Sequence, residues 1–146
     1  MASSTVSFAP RVLLLFVGLW AATFSSVRAD APPNFSGNYE LAGKRSDREF
    51  SLEVKQKGSR AEVTFSASMA DGTGAAPDGV GKGEIEDGVL SFKFKDSFNN
   101  EGTCTLQPAK VGFQLNINVT KVVDASPFHF YGELLMKKTS DHVVAP

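Results

Sequence analysis

Apolar and polar residues alternate with a period of two through most of this chain, and that period predicts β-strands. The alternation is clearest on either side of Asp87-Gly88. Asp-Gly favours a two-residue hairpin turn because both central residues there take positive φ. Such a turn predicts a register in which Glu86 faces Val89, Ile85 faces Leu90, Gly83 faces Phe92 and Gly81 faces Phe94. A glycine in a strand leaves a gap, and a phenylalanine directly opposite can lie over it. Phe92 and Phe94 are therefore expected on a buried face, with Ser91, Lys93 and Lys95 in water. The run Asp96–Gly102 reads as a loop by its Asx and Gly content. Thr103–Gln107 reads as the next strand, with Cys104 and Leu106 inward.

The same period recurs along the rest of the chain. Phe35–Leu41 puts Phe35, Gly37, Tyr39 and Leu41 on one side. Phe50–Gln56 places Phe50, Leu52 and Val54 inward, and Ala61–Ala67 does the same with Val63 and Phe65. Between Met69 and Asp78 the sequence is small, Gly-rich and nearly free of large apolar side chains, so a loop of about ten residues is expected, longer than most hairpin connections. Val111–Lys121 alternates without a break, with Phe113, Leu115, Ile117 and Val119 inward. Phe128–Lys138 is the last predicted strand, with Phe128, Phe130, Gly132, Leu134 and Met136 inward, and His129, Tyr131 and Leu135 on the outer face. Residues 139–146 read as a frayed tail. The expectation is all-β: an eight-stranded antiparallel up-and-down meander that closes into a small barrel and so leaves no exposed edge. A β-sandwich is the alternative.

Composition separates a leader from this domain. Leu13–Trp20 is a short apolar run preceded by Arg11, and Val27-Arg28-Ala29 supplies the small residues of a cleavage site. This is the pattern of a secretory signal peptide over residues 1–29, too short for a membrane span. Cleavage after Ala31 and retention as an N-terminal anchor stay open as alternatives. Residues 30–146 then form one domain, exported to a periplasmic or extracellular space. Without Arg11 and Arg28 it carries 13 basic and 16 acidic residues, a net charge of −3. No basic patch speaks for nucleic acid. Cys104 is the only cysteine, so no internal disulfide can form, and its inward position suits a small buried apolar residue. A monomer is the expectation.

Phe35-Ser36-Gly37-Asn38-Tyr39-Glu40-Leu41 carries a Gly-x-aromatic pair on the first strand, ahead of a meander of eight. This resembles the calycin group: lipocalins, fatty-acid-binding proteins and avidins. The resemblance implies an apolar ligand held inside the barrel, with Tyr39 at the closed end. Tyr39 stands where those families usually carry tryptophan. Between Leu41 and Phe50 there is no room for a helical lid, nothing after Phe128 resembles the lipocalin helix, and the one tryptophan, Trp20, belongs to the leader. The stretches Ala75–Gly79 and Asp96–Asn100 are also similar to uncharacterised exported bacterial β proteins, a likeness that implies no activity.

Candidate chemistry is sparse. His129 and His142 are the only histidines, and neither has a visible partner for general-base work. One cysteine and two histidines make no zinc set, and the loop acids Asp71, Asp78, Asp87, Asp96 and Glu101 lack calcium-loop spacing. No enzyme, cofactor or metal site is expected. Asn34-Phe35-Ser36 and Asn118-Val119-Thr120 are glycosylation sequons, relevant only in a eukaryotic secretory route. The candidate ligand-facing interior consists of Tyr39, Phe50, Phe65, Phe92, Phe94, Phe113 and Phe130. Two readings of it stay open: a core filled by these side chains, or a pocket for one small apolar ligand. The functional expectation is a non-catalytic binding module with that ligand. The alternative is a protein that meets a macromolecular partner, such as a hydrolase, through its loops.

Overall fold

A computed structural model describes residues 33–43 and 47–141. The expected signal peptide, both cleavage positions, His142 and the end of the tail lie outside the described residues. Eight strands follow in order: β1 Gly37–Leu41, β2 Arg48–Lys57, β3 Arg60–Met69, β4 Asp78–Glu86, β5 Val89–Asp96, β6 Glu101–Pro108, β7 Phe113–Lys121 and β8 Gly132–Ser140. Each pairs antiparallel with the next, and β8 returns to pair with β1, closing the barrel. The short turns after β2, β4 and β6 share one rim with both ends of the described chain. The connections after β1, β3, β5 and β7 share the other, called here the loop rim.

The β4–β5 register is the one that the Asp-Gly turn predicts, with Ile85 opposite Leu90, Gly83 opposite Phe92 and Gly81 opposite Phe94. Asp87 has φ 48° and Gly88 φ 78°, as a primed turn requires. The β4 glycines are the device that lets rings fill the interior. A Cβ on Gly79 would run into the Phe65 ring, and one on Gly81 or Gly83 would meet Phe92 and the β5 backbone. Gly102 on β6 makes room for Phe94 in the same way. One core results, in which Val54, Leu90, Leu106, Leu115 and Met136 are wholly buried.

Several boundaries differ from the sequence expectation. Phe128 and Phe130 are not in the last strand: Ser126–Phe130 is a 3-10 turn, and β8 starts at Gly132. Pro127 explains this, since its fixed φ and missing N–H suit the first turn of a helix and not a ladder. Asp124 supports the turn by accepting from the Ser126 amide and hydroxyl. Phe130 is still buried, but it reaches the core from the turn, whereas Phe128 and Gly132 are exposed. Tyr131, expected on the outer face, is half-buried against Phe65 and Phe94. The tail expected from residue 139 also starts later, because Thr139 and Ser140 extend β8 and Ser140 pairs with Asn38. At the other ends, Gly112 (φ 71°) keeps Val111 in the turn before β7, and the Asp96–Gly102 loop shrinks to Ser97–Asn100.

Candidate functional site

The seven inward candidates are spread along the barrel from one rim to the other. Phe50 and Phe65 stack at 5.5 Å with rings 14° apart, and Phe94 meets Phe65 edge-on at 5.5 Å. These three lie toward the loop rim, where Tyr131 sits 6.4 Å from Phe65 and 5.8 Å from Phe94. At the opposite rim Tyr39 and Phe113 meet edge-on at 5.1 Å, with Phe35 packed on Phe113 at 6.1 Å. Phe92 lies between the two groups, over the β4 glycines, and Phe130 sits beside His129. Offset and edge-on rings at these separations are attractive contacts in their own right.

At the rim that carries the chain ends, Phe35 and Tyr39 are buried. The Tyr39 hydroxyl donates to the Phe35 carbonyl at 2.6 Å, and the Phe35 amide donates to Gln56 Oε1 at 2.7 Å. Lys138 lies 5.8 Å from the centre of the Tyr39 ring. Burial, and secondarily the charge of Asp141, pushes the Tyr39 phenol up from its ordinary pKa.

The loop rim is built on two buried polar side chains, Asp96 and Asn100, which alternation alone would have left in a solvated loop. Asp96 Oδ1 accepts from the amides of Phe98 and Asn100 at 2.9 and 2.8 Å. Asp96 Oδ2 accepts from Asn100 Nδ2 at 2.9 Å and from the Tyr131 hydroxyl at 2.6 Å. Asn100 Oδ1 in turn accepts from the amides of Val123 and Asp124 at 2.7 and 2.9 Å. A buried carboxylate is tolerated when its lone pairs are used in this way. Burial first, then the Asp96 hydrogen bond and charge, pushes the Tyr131 phenol up. The signal in the sequence was Asp96-x-x-x-Asn100, an Asx pair around Asn99, whose φ is 62°.

This network fixes the β7–β8 connection across the rim and holds three apolar side chains outward. Val122, Val123 and Phe128 are 56%, 59% and 36% exposed. His129 is exposed, its Nδ1 3.1 Å from the Ser126 carbonyl oxygen. Among the described residues, no three His, Cys, Asp or Glu side chains are grouped to hold a metal ion. Cys104 is buried, and burial pushes its thiol up to about 12, which keeps it unreactive.

Comparisons with family models, curated proteins and solved structures found no match. The barrel shape does not by itself place the chain among the calycins, because one fold hosts many functions. An open groove lies over β2–β6, lined by Lys55, Glu62, Lys82, Glu84, Lys93 and Thr103 among others. Its charges partly pair with one another, Lys82 with Glu62 at 3.3 Å and Arg60 with Glu84 at 3.9 Å. Solvated pairs of this kind contribute little.

Proposed function

We propose that the protein is an exported, non-catalytic binding module that meets a protein partner through its loop rim. The observation that carries this reading is the outward display of Val122, Val123 and Phe128 on a connection anchored by Asp96 and Asn100. Apolar side chains held rigidly in water lose little conformational freedom on binding, and so favour association. Ring contacts among Phe50, Phe65 and Phe94 support a core filled by side chains, and with it a binding surface outside the barrel. The export part rests on the apolar run Leu13–Trp20 and the Val27-Arg28-Ala29 site. A secreted hydrolase in the same compartment is the partner class tested first.

The test is capture from the native compartment by the mature chain and by a Val122→Ser/Val123→Ser/Phe128→Ser variant. A partner retained by the first and lost by the second is the expected result. Equal retention by both would refute the loop rim as the binding surface. A second reading, a small apolar ligand of the lipocalin kind, draws on the seven aromatic residues at inward positions. Native mass spectrometry separates the two: excess mass that vanishes on denaturation would place a ligand inside.

A further inference from the structure

The open groove over β2–β6 lies toward the turns after β2 and β4, at the opposite end of the barrel from the loop rim. It holds about 1390 Å³, more than the roughly 300–1,000 Å³ of a small-molecule pocket. Crossing five strands gives it a breadth of about 19 Å. The strand registers arrange its lining in cross-strand rows. One row runs Glu62, Lys82, Lys93, Thr103, and the next runs Arg60, Glu84, Ser91, Thr105. On β3 and β4 the charges answer one another: Lys82 pairs with Glu62 at 3.3 Å and Arg60 with Glu84 at 3.9 Å. Lys93 on β5 breaks that pattern. It faces Lys82 on one side and Thr103 on the other, and no carboxylate among the described residues pairs with it. Like charges directly opposite each other destabilise a sheet. The neighbours of Lys93 on the outer face are hydroxyls. Those of Ser91 and Thr103 make no hydrogen bond among the described residues. Thr105 Oγ1 accepts from Asn116 Nδ2 at 3.4 Å and keeps its own proton to donate.

We infer that this groove binds an acidic sugar chain, with one carboxylate or sulfate ester of the chain on Lys93 and sugar hydroxyls on Ser91, Thr103 and Thr105. An ammonium is a compact point charge with three donors, which suits a single oxyanion. Hydroxyls that both donate and accept match the hydroxyls of a sugar. An anion on Lys93 also offsets the repulsion between Lys93 and Lys82. The rest of the lining selects how densely the ligand is charged. Glu62, Glu84 and Glu86 stand in the same groove, so a polymer with an anion at every step, such as nucleic acid, meets repulsion there. A chain whose anions are widely spaced sets neutral hydroxyls against those carboxylates instead, and they accept from it. An open groove, longer than one small molecule needs, suits a chain.

The experiment is calorimetric titration of the mature chain with tetragalacturonate and with a sulfated carrageenan tetrasaccharide. Maltotetraose is the neutral control, and sodium acetate and a DNA duplex are the other anions. Saturable binding of at least one acidic tetrasaccharide is expected, weakened by added salt, with none for maltotetraose. Lys93→Gln should weaken that binding about tenfold. It should not lower the melting temperature, since it removes a contact between like charges. Lys95→Gln deletes the same charge from the same face of β5, but outside the groove, and should leave the affinity unchanged. No binding of either acidic sugar, or equal binding of maltotetraose, would overturn the inference. Equal losses in Lys93→Gln and Lys95→Gln would reduce it to general charge attraction and overturn the site. Acetate binding as tightly as the tetrasaccharides would overturn the assignment to a sugar chain, and so would tighter binding of the DNA duplex.

Discussion

Replacing Asp96 with alanine removes the acceptor on which the loop rim is built. Four donors lose it: the amides of Phe98 and Asn100, Asn100 Nδ2 and the Tyr131 hydroxyl. The two amides lie in a turn where water can enter, so the larger loss comes from Asn100 Nδ2 and Tyr131. Hydrogen bonds to a charged acceptor contribute about 1.5–3 kcal/mol each, and stranding buried donors adds to the loss. Relief from burying the carboxylate offsets part of this loss. The expected destabilisation is about 3–5 kcal/mol. In a domain of about a hundred residues this lowers the melting temperature by about 12–20 °C. Urea denaturation with an unchanged m-value would read the same loss as a shifted midpoint. Tyr131→Phe removes only the bond at 2.6 Å and should cost about 1.5–2 kcal/mol. In a double-mutant cycle the two changes should couple by about that amount, since Tyr131→Phe has nothing left to remove once Asp96 is alanine. A loss below about 1 kcal/mol for Asp96→Ala would refute the claim that this carboxylate holds the rim.

Gly79→Ala and Gly81→Ala each drive a Cβ into Phe65 or Phe92, and should cost about 1–3 kcal/mol by overpacking, measured by urea denaturation. The phenols of Tyr39 and Tyr131, the only two tyrosines, are both raised above the ordinary value 10.0. The fold thus favours their protonated forms, and that stability is whole below about pH 10 and lost as pH rises beyond it. Phenolate absorbance should stay low in the native chain at pH about 10–11 and appear on adding urea; a native titration midpoint at 10 would contradict the burial. Cys104, pushed up to about 12, should resist a thiol reagent until the barrel unfolds, so labelling should follow the global unfolding curve. Tyr39→Phe loses the bond to the Phe35 carbonyl and should cost about 1 kcal/mol by thermal denaturation.

Most of the strand content was legible because it depends on a local period. Side chains alternate across a strand whatever its partners are, so Leu52, Val63, Leu115 and Met136 declare their face by position alone. The Asp87-Gly88 turn also carried its register, since two residues of positive φ leave one pairing. What alternation could not carry is where a strand yields to a turn that needs distant partners. Phe128-His129-Phe130-Tyr131 alternates like a strand, yet Pro127 and the Asp124 side chain turn it into a 3-10 segment. Tyr131 then faces Asp96, 35 residues earlier in the chain. Asp96 and Asn100 look like ordinary loop formers until the barrel closes and brings Val123, Asp124 and Tyr131 over them. The Arg48 Nε, buried without a hydrogen-bond partner among the described residues, was equally hidden. Its inward direction follows from strand parity, but its lack of an acceptor depends on every element that surrounds it. Sequence by itself determined the strands, the turns and the apolar face, because those follow from short-range sterics and burial. Only tertiary structure decided which polar groups are satisfied, because hydrogen bonds are completed by residues far apart in the chain.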